Sequence, residues 1–538
     1  MARALALSVA VAAAVLALSG SGGAATQQAP RSGGTVSFSL SEEPACLNVL
    51  VAKCTTSSGD LPSVMEKVLE PAFDVGPDFT FRPRLVSRVT VTKRPPFTLT
   101  YRIRPEALWS DGVPLTARDF VFTYEAQVAH RSALGPEVDA LSHVRRVTAI
   151  DAKTVRVVLR SRFAGWHTLF GNVLPRHVLD GQDLSKIWVD RVDDPRTGRP
   201  IGSGPFLVES VRRGREITLV RNPRYWGTHV ARLDRLVLPF DVVDTLASFR
   251  SGRVDIVRGV EPADVPMLLR EAGLRVTAPP SAGFEQLSIR VGRGGNHALR
   301  NPLVRRALGF GIDRAGLARA VFGSIVAARS LDSVVYLVQS PYYEATWSRY
   351  RSRPALARRL LARAGCRRGD DGVQVCAGRR LSLRFITTAG VPPRELELRS
   401  MQAQLRRIGV EVIPTYATPG SLFGTILPSG RYDAALHGWG FDPNPTQGST
   451  LFACGAQLNW TGYCSRTVQA ALDRAARTLD AGAQARILNR ADVRLSKDVP
   501  LIPLFQIHLP VVLRTSIRNF EALPANPLAG AENWWRER

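Results

Sequence analysis

The chain has 538 residues, 45% hydrophobic and 22% charged, values that exclude a disordered polymer and imply two or three domains rather than one core. Lysine and arginine outnumber aspartate and glutamate by 71 to 46, a formal charge of +25. The arginines are scattered in short doublets such as Arg212-Arg213 and Arg305-Arg306, with no basic helix or aromatic-interleaved RNA motif. They read as a solvated surface, not as a specific nucleic-acid site.

In chain order, Arg3, the apolar run Ala4–Leu18 and the small residues through Ala24-Ala25 predict a cleaved signal peptide over 1–25. The run is shorter than the ~20 residues of a spanning helix, and no later segment is long and apolar enough to cross a bilayer. An exported, soluble protein is expected. Thr35–Leu40 alternates as a first strand, followed by the loop Ser41-Glu42-Glu43-Pro44. The six cysteines form three neighbouring pairs, Cys46/Cys54, Cys366/Cys376 and Cys454/Cys464. In an exported chain this predicts three local disulfides, each closing a loop of about ten residues and stabilising by roughly 2–3 kcal/mol. Zinc is disfavoured, because no C-x-x-C spacing or paired histidine accompanies them.

Thr98–Glu125 begins as a strand, with Leu99, Tyr101 and Ile103 alternating with Thr100, Arg102 and Arg104. Ser110-Asp111-Gly112 turns the chain, and Thr116 with Asp119 predicts a capping box at the head of a helix. Asn301-Pro302 opens another helix. Leu398, Met401, Leu405 and Ile408 form a helical stripe closed by Gly409, and Val410–Ile413 follows as a strand. Ser465 caps a helix carrying Val468, Leu472 and Leu479 on one face. Such alternation of helix and strand predicts an α/β lobe.

A reactive constellation is missing. The sequence has no G-x-S-x-G elbow, H-E-x-x-H helix, phosphate-binding G-x-x-x-x-G-K-[ST] or dinucleotide fingerprint. Ile201-Gly202-Ser203-Gly204-Pro205 is glycine-rich, but Pro205 hinders a phosphate-binding helix start, so a tight backbone turn is expected. The eight histidines are dispersed. The Gly-punctuated loop His437-Gly438-Trp439-Gly440-Phe441-Asp442-Pro443 follows a predicted strand, Tyr432–Leu436, and brings two aromatics and a carboxylate together.

Several segments share one resemblance. WSDGVPLTARDF within Thr98–Glu125, IGSGPFLVESVRRGREITLVRNPRYWG (Ile201–Gly227), DTLASFRSGRVDIV (Asp244–Val257), NPLVRRALGFGIDRAGLARAVFG (Asn301–Gly323), MQAQLRRIGVEVIP (Met401–Pro414), YDAALHGWGFDPNP (Tyr432–Pro445) and VPLIPLFQIHLPVV (Val499–Val512) resemble, in order, the family 5 extracytoplasmic solute-binding proteins. These are the peptide- and nickel-type receptors of ABC importers. The resemblance runs from about Gly33 to about Pro524. It implies an α/β, two-lobed periplasmic-binding-protein fold (type II, cluster C-like) with an extra domain and a hinge between lobes. The implied division is 33–73 with 200–283 and 499–538 as domain I, 74–199 as domain II and 284–498 as domain III, hinged near Gly283 and Val499. Unlike relatives with a lipid-modified cysteine after the signal peptide, this chain has Cys46 as its first cysteine, so a free periplasmic or secreted monomer is expected.

The resemblance implies capture of di- or oligopeptides by hinge closure and delivery to membrane permease subunits, with no cofactor and no turnover. Asp442 maps onto the carboxylate that pairs with a ligand's α-amino group, and Trp439, with Phe441 beside it, onto the pocket wall. Without the resemblance, Asp442 before Pro443 reads as a turn starter and Trp439 as local packing. Glu42 maps onto a loop bordering the cleft. His437 reads as a structural histidine or a ligand contact. Arg290 stands where relatives often place Asn, and either favours a ligand carboxylate or pairs with a surface acid. A nickel chelate, haem, opine or oligosaccharide in the same fold, a sensory receptor and a secreted hydrolase are the alternatives.

Overall fold

A computed structural model describes residues 32–537 apart from 93, 131–136, 229, 324, 445–446 and 524–525. The expected signal peptide lies outside the described residues. Two large hydrophobic cores organise the rest. One gathers Val36, Trp109, Phe120, Leu219 and Leu236 with Leu513 and Trp534 from the end of the chain. The other gathers Leu287, Leu308, Trp347, Phe385, Met401, Leu436 and Phe505. Each is the interior of one lobe.

In the first lobe, Thr35–Ser37 runs parallel to Arg235–Pro239, which continues antiparallel to Glu216–Arg221 and then Phe206–Arg212. A second, antiparallel sheet has the order Val86–Val91, Thr98–Ile103, Thr154–Leu159, Val144–Asp151. Leu99, Tyr101 and Ile103 all point into the core, as their period of two predicts. The turn that follows has Gly112 at φ 94°, in the left-handed region. The helix Ala117–Ala129 then starts with the predicted capping box, in which the Thr116 N–H donates to Asp119 Oδ2 at 2.7 Å.

The glycine-rich turn before Phe206–Arg212 is needed for close approach. Ser203 and Gly204 N–H groups both donate to the Val68 carbonyl at 2.9 Å. A Cβ on Gly204 would lie 2.3 Å from Lys67 O, and one on Gly202 would lie 2.6 Å from Val68 O. Ser203 Oγ accepts the Glu70 N–H at 2.9 Å, so the turn fixes the backbone of Lys67–Glu70.

The second lobe is built on a five-stranded sheet of order Glu411–Ala417, Ser382–Thr388, Ala434–Gly440, Pro280–Ile289, Leu501–His508. Its first three strands are parallel and the last two pair antiparallel. The helix Pro392–Arg406 buries Leu398, Met401 and Leu405 and is closed by Gly409 at φ 82°. Asn301 and Ser465 cap the helices Pro302–Gly311 and Arg466–Ala475 through their side chains.

Two adjacent strands cross from lobe to lobe. Leu274–Thr277 and Val511–Arg514 pair in a three-stranded sheet with Ile256–Arg258, while Pro280–Ile289 and Leu501–His508 pair in the five-stranded one. The change comes at Ala278-Pro279 and Leu509-Pro510, where Leu509 N–H donates to Pro279 O at 3.2 Å and His508 Nδ1 lies 2.8 Å from Ala278 O. Gly283 and Val499, where the family resemblance implies the hinge, are not the crossover residues. Gly283 instead lies inside a ladder strand, and Val499 ends the helix Ala481–Asp498 at φ 50°. Ladder hydrogen bonds stiffen Gly283 and a helical hydrogen bond from its N–H to Leu495 O holds Val499, whereas each crossover carries a proline that cannot extend a ladder.

Candidate ligand-binding cleft

The strand Ala434–Gly440 pairs with Pro280–Ile289 until Gly440 meets Gly283, and the chain then leaves the sheet with Phe441 N–H donating to Ala282 O at 2.7 Å. This exit aims Phe441-Asp442-Pro443 at the other lobe. There the turn after Phe73–Val75 ends in Phe79, which has φ 61°, a conformation that costs a bulky L-residue strain and persists only where the surroundings impose it. The two rings meet edge to face, centroids 5.1 Å apart at 73°. Phe79, Phe284, Leu331 and Leu337, with Trp439, Phe441 and Tyr343 against them, form a small apolar cluster separate from both lobe cores.

Two cavities flank this contact. The smaller, about 210 Å³, includes Phe79, Tyr336, Tyr342 and Gln447 in its walls. The larger, about 630 Å³, is walled by Glu66, Lys67, Glu70, Asp74 and Arg84 of the first lobe and by Ala282 of the second. Phe81, His167, Phe441, Asp442 and Pro443 line both, so the loop separates two compartments of one cleft. The larger is in the size range of small-ligand sites.

The first-lobe wall is rigidly wired. Arg84 donates to Glu70 through Nε (2.8 Å) and Nη2 (3.1 Å) and to Tyr225 Oη at 2.8 Å, and that hydroxyl donates to Glu70 Oε1 at 2.6 Å. Glu532 ties in both Arg84 (3.3 Å) and Lys67 (3.4 Å). Burial works against the Arg84 charge, but Glu70 beside it outweighs that, and the guanidinium titrates above its usual range. The GSGP turn that clamps Lys67–Glu70 therefore also sets this wall.

Asp442 and Phe441 lie in the cleft, and the other sequence-predicted positions do not line it. Asp442 is half-buried; its Oδ1 accepts the Asn444 N–H at 2.8 Å and its own N–H donates to Gln447 Oε1 at 3.0 Å. It thus shapes its loop while facing both compartments. Trp439 lines neither cavity: it packs against the interlobe cluster and edge-on against Trp460 (5.7 Å, 74°), its Nε1 without a hydrogen-bond partner among the described residues. His437 is fully buried behind it, with Nε2 3.0 Å from Ser288 Oγ and Nδ1 3.2 Å from Gly438 O. Burial drives its pKa down to about 4, so the ring is neutral. Arg290 braces loops at the far end of its strand, donating to Trp460 O at 2.6 Å and Arg293 O at 2.8 Å. Glu42 is exposed outside both cavities, its carbonyl accepting from Ser58 Oγ at 3.1 Å. The six cysteines are paired as their spacing predicts, with Cα–Cα distances of 4.9 Å for Cys46–Cys54, 4.2 Å for Cys366–Cys376 and 4.6 Å for Cys454–Cys464.

The profile of the bacterial extracellular solute-binding proteins, family 5 Middle, matches residues 80–458. The chain belongs to this family. Its members work outside the cytoplasm and bind solutes without turning them over. Among curated relatives, the oligopeptide-binding protein OppA of Mycobacterium tuberculosis is 26% identical over 504 residues, covering 91% of this chain and 83% of OppA. Among solved structures, the periplasmic EDTA-binding protein EppA superposes with a TM-score of 0.81 at 23% identity, covering 95% of this chain and 98% of EppA. The oligopeptide-binding protein AppA from Bacillus subtilis, in complex with a nonapeptide, gives 0.70 at 19% identity, covering 95% of this chain and 100% of AppA. At these identities the two structures establish the shared fold and nothing about the ligand.

Proposed function

We propose that this protein is the solute-capturing component of an ABC importer, that its ligands are di- or oligopeptides, and that it is a binder and not an enzyme. The observation that carries the reading is the cleft itself. Two separately cored lobes meet at Phe79 and Phe441, joined by paired crossover strands, with Asp442 facing compartments on both sides. Opening about Ala278-Pro279 and Leu509-Pro510 would part the two rings and admit a ligand, and closure would bury it. Ligand then shifts the population towards the closed form, which the permease reads. Resemblance to OppA along most of the chain supports peptide as the solute. In this reading Asp442 takes the ligand's ammonium and Phe441 covers its chain. On the same reading the protein works outside the cytoplasm.

A peptide library screened by thermal shift, with the peptides then recovered and weighed, tests the reading. Some members should raise the melting temperature, by the equivalent of about 2.7 kcal/mol at 100-fold excess over Kd, and return uncut. Stabilisation by EDTA or nickel–histidine chelates alone would replace the peptide with a chelate. Steady cleavage of stabilising peptides would overturn the non-enzymatic reading.

A further inference from the structure

The charge of the larger compartment is opposite to that of the chain. Against a formal +25 overall, its walls hold five carboxylates, Glu66, Glu70, Asp74, Asp442 and Glu532, and three bases, Lys67, Arg82 and Arg84. His167, which also lines it, is kept neutral by burial, its pKa lowered to about 4. All three bases are already engaged. Lys67 is paired with Glu532 at 3.4 Å, Arg84 with Glu70 at 2.8 Å and Glu532 at 3.3 Å, and Arg82 with Asp78, outside the lining, at 3.3 Å.

Of the other three, Glu66 and Asp74 feel the nearby bases, Lys67 at both and Arg82 and Arg84 at Asp74, but form no ion pair with them. Among the described residues, no base lies within ion-pair distance of Glu66 or Asp74. Glu66 accepts from Asn526 Nδ2, a neutral donor. Asp74 stands in the strand Phe73–Val75 opposite Arg82, half-buried, and its Oδ1 is buried with no hydrogen-bond partner. Burial raises the pKa of both, Glu66 to about 7, because nothing nearby compensates the desolvated charge fully.

We propose that Asp74 and Glu66 make this cleft select cationic ligands, peptides whose lysine or arginine side chain enters the larger compartment. The proposal rests on the cleft being the peptide site. A ligand ammonium or guanidinium supplies the countercharge that the wall lacks, in a place where closure excludes water and strengthens the attraction. A ligand carboxylate there finds no base that is not already ion-paired. Selectivity comes from the desolvated wall, because the long-range field of a +25 chain repels cations and is screened by salt.

The experiment is calorimetry on the full mature chain with three matched tetrapeptides, free at both ends, carrying lysine, alanine or glutamate at one inner position. Spermidine serves as a cation without a peptide backbone. The lysine peptide should bind at least tenfold tighter than the alanine peptide, and the glutamate peptide weakest. Asp74→Asn, close in shape, should cut the lysine-to-alanine ratio to about threefold or less, and Glu66→Gln should lower it in the same direction. Equal binding of the three peptides overturns the charge selection and leaves the peptide reading standing. A lysine preference unchanged in both variants overturns the assignment to these carboxylates. Spermidine binding without any peptide binding overturns the peptide reading and keeps the charge selection. Binding of neither overturns both.

Discussion

His437 offers a test of where the cleft ends. Its imidazole is fully buried between Ser288 and Gly438, and burial lowers its pKa from the usual 6.5 to about 4. The folded pKa is below the unfolded one, so on acidification the unfolded chain takes up this proton first. The stabilisation is complete above pH 6.5, shrinks as pH falls, and is used up once pH passes below about 4. A shift of about 2.5 units at 1.36 kcal/mol per unit gives about 3 kcal/mol lost from this group between neutral pH and pH 4. Glu66 and Asp492, raised by burial to about 7 and about 6, act in the opposite direction, so the wild-type profile alone does not isolate the histidine. The difference between wild type and His437→Gln does. Gln keeps a polar group near Ser288 and does not titrate over this range. Urea melts of both proteins from pH 7.5 to pH 4, followed through the second-lobe transition, should show the variant gaining about 3 kcal/mol relative to wild type. A pH-independent gap would mean that His437 titrates as if in water, and that the cleft reaches the ring.

The remaining predictions concern parts that position the cleft. Gly204→Ala should destabilise the first lobe by about 1–3 kcal/mol, because its Cβ would meet the Lys67 carbonyl at 2.3 Å; a melting temperature equal to wild type would refute the close approach. Peptide mapping without reduction should find Cys46–Cys54, Cys366–Cys376 and Cys454–Cys464 linked, and free thiols or a long-range link would contradict the pairing. Asp442→Asn should weaken a free-amine peptide by roughly two orders of magnitude, the loss expected when one partner of a buried charge pair is removed, and hurt its N-acetylated twin far less. Equal losses for the two, read by calorimetry, would mean that Asp442 only shapes its loop through Asn444.

Local features were legible in the sequence and long-range ones were not. The strand Thr98–Ile103, the Thr116–Asp119 box, the Leu398–Met401–Leu405 stripe and the cysteine pairs each depend on neighbours within about ten residues, so spacing sufficed. The GSGP turn was legible as a turn, but its purpose, holding Lys67–Glu70 against the cleft, depends on a segment more than 130 residues away. The Glu70–Arg84–Tyr225–Glu532 wall spans 448 residues between Arg84 and Glu532, and no periodicity marks any member. Phe79 carried no signal either, since its positive φ is imposed by a turn that ordinary residues could make. In the loop after Ala434–Gly440 the strand period decides which side each residue faces. His437 and Trp439 are held in the sheet, and only after Gly440 does the chain turn Phe441 and Asp442 into the open.

In the proposed function the space between the lobes holds a peptide. Native mass spectrometry of protein purified from its own host without denaturation tests this most directly. The chain should carry one additional mass, released on unfolding and fragmenting as a peptide. A released mass that fragments as a metal chelate, a sugar or a haem would contradict it.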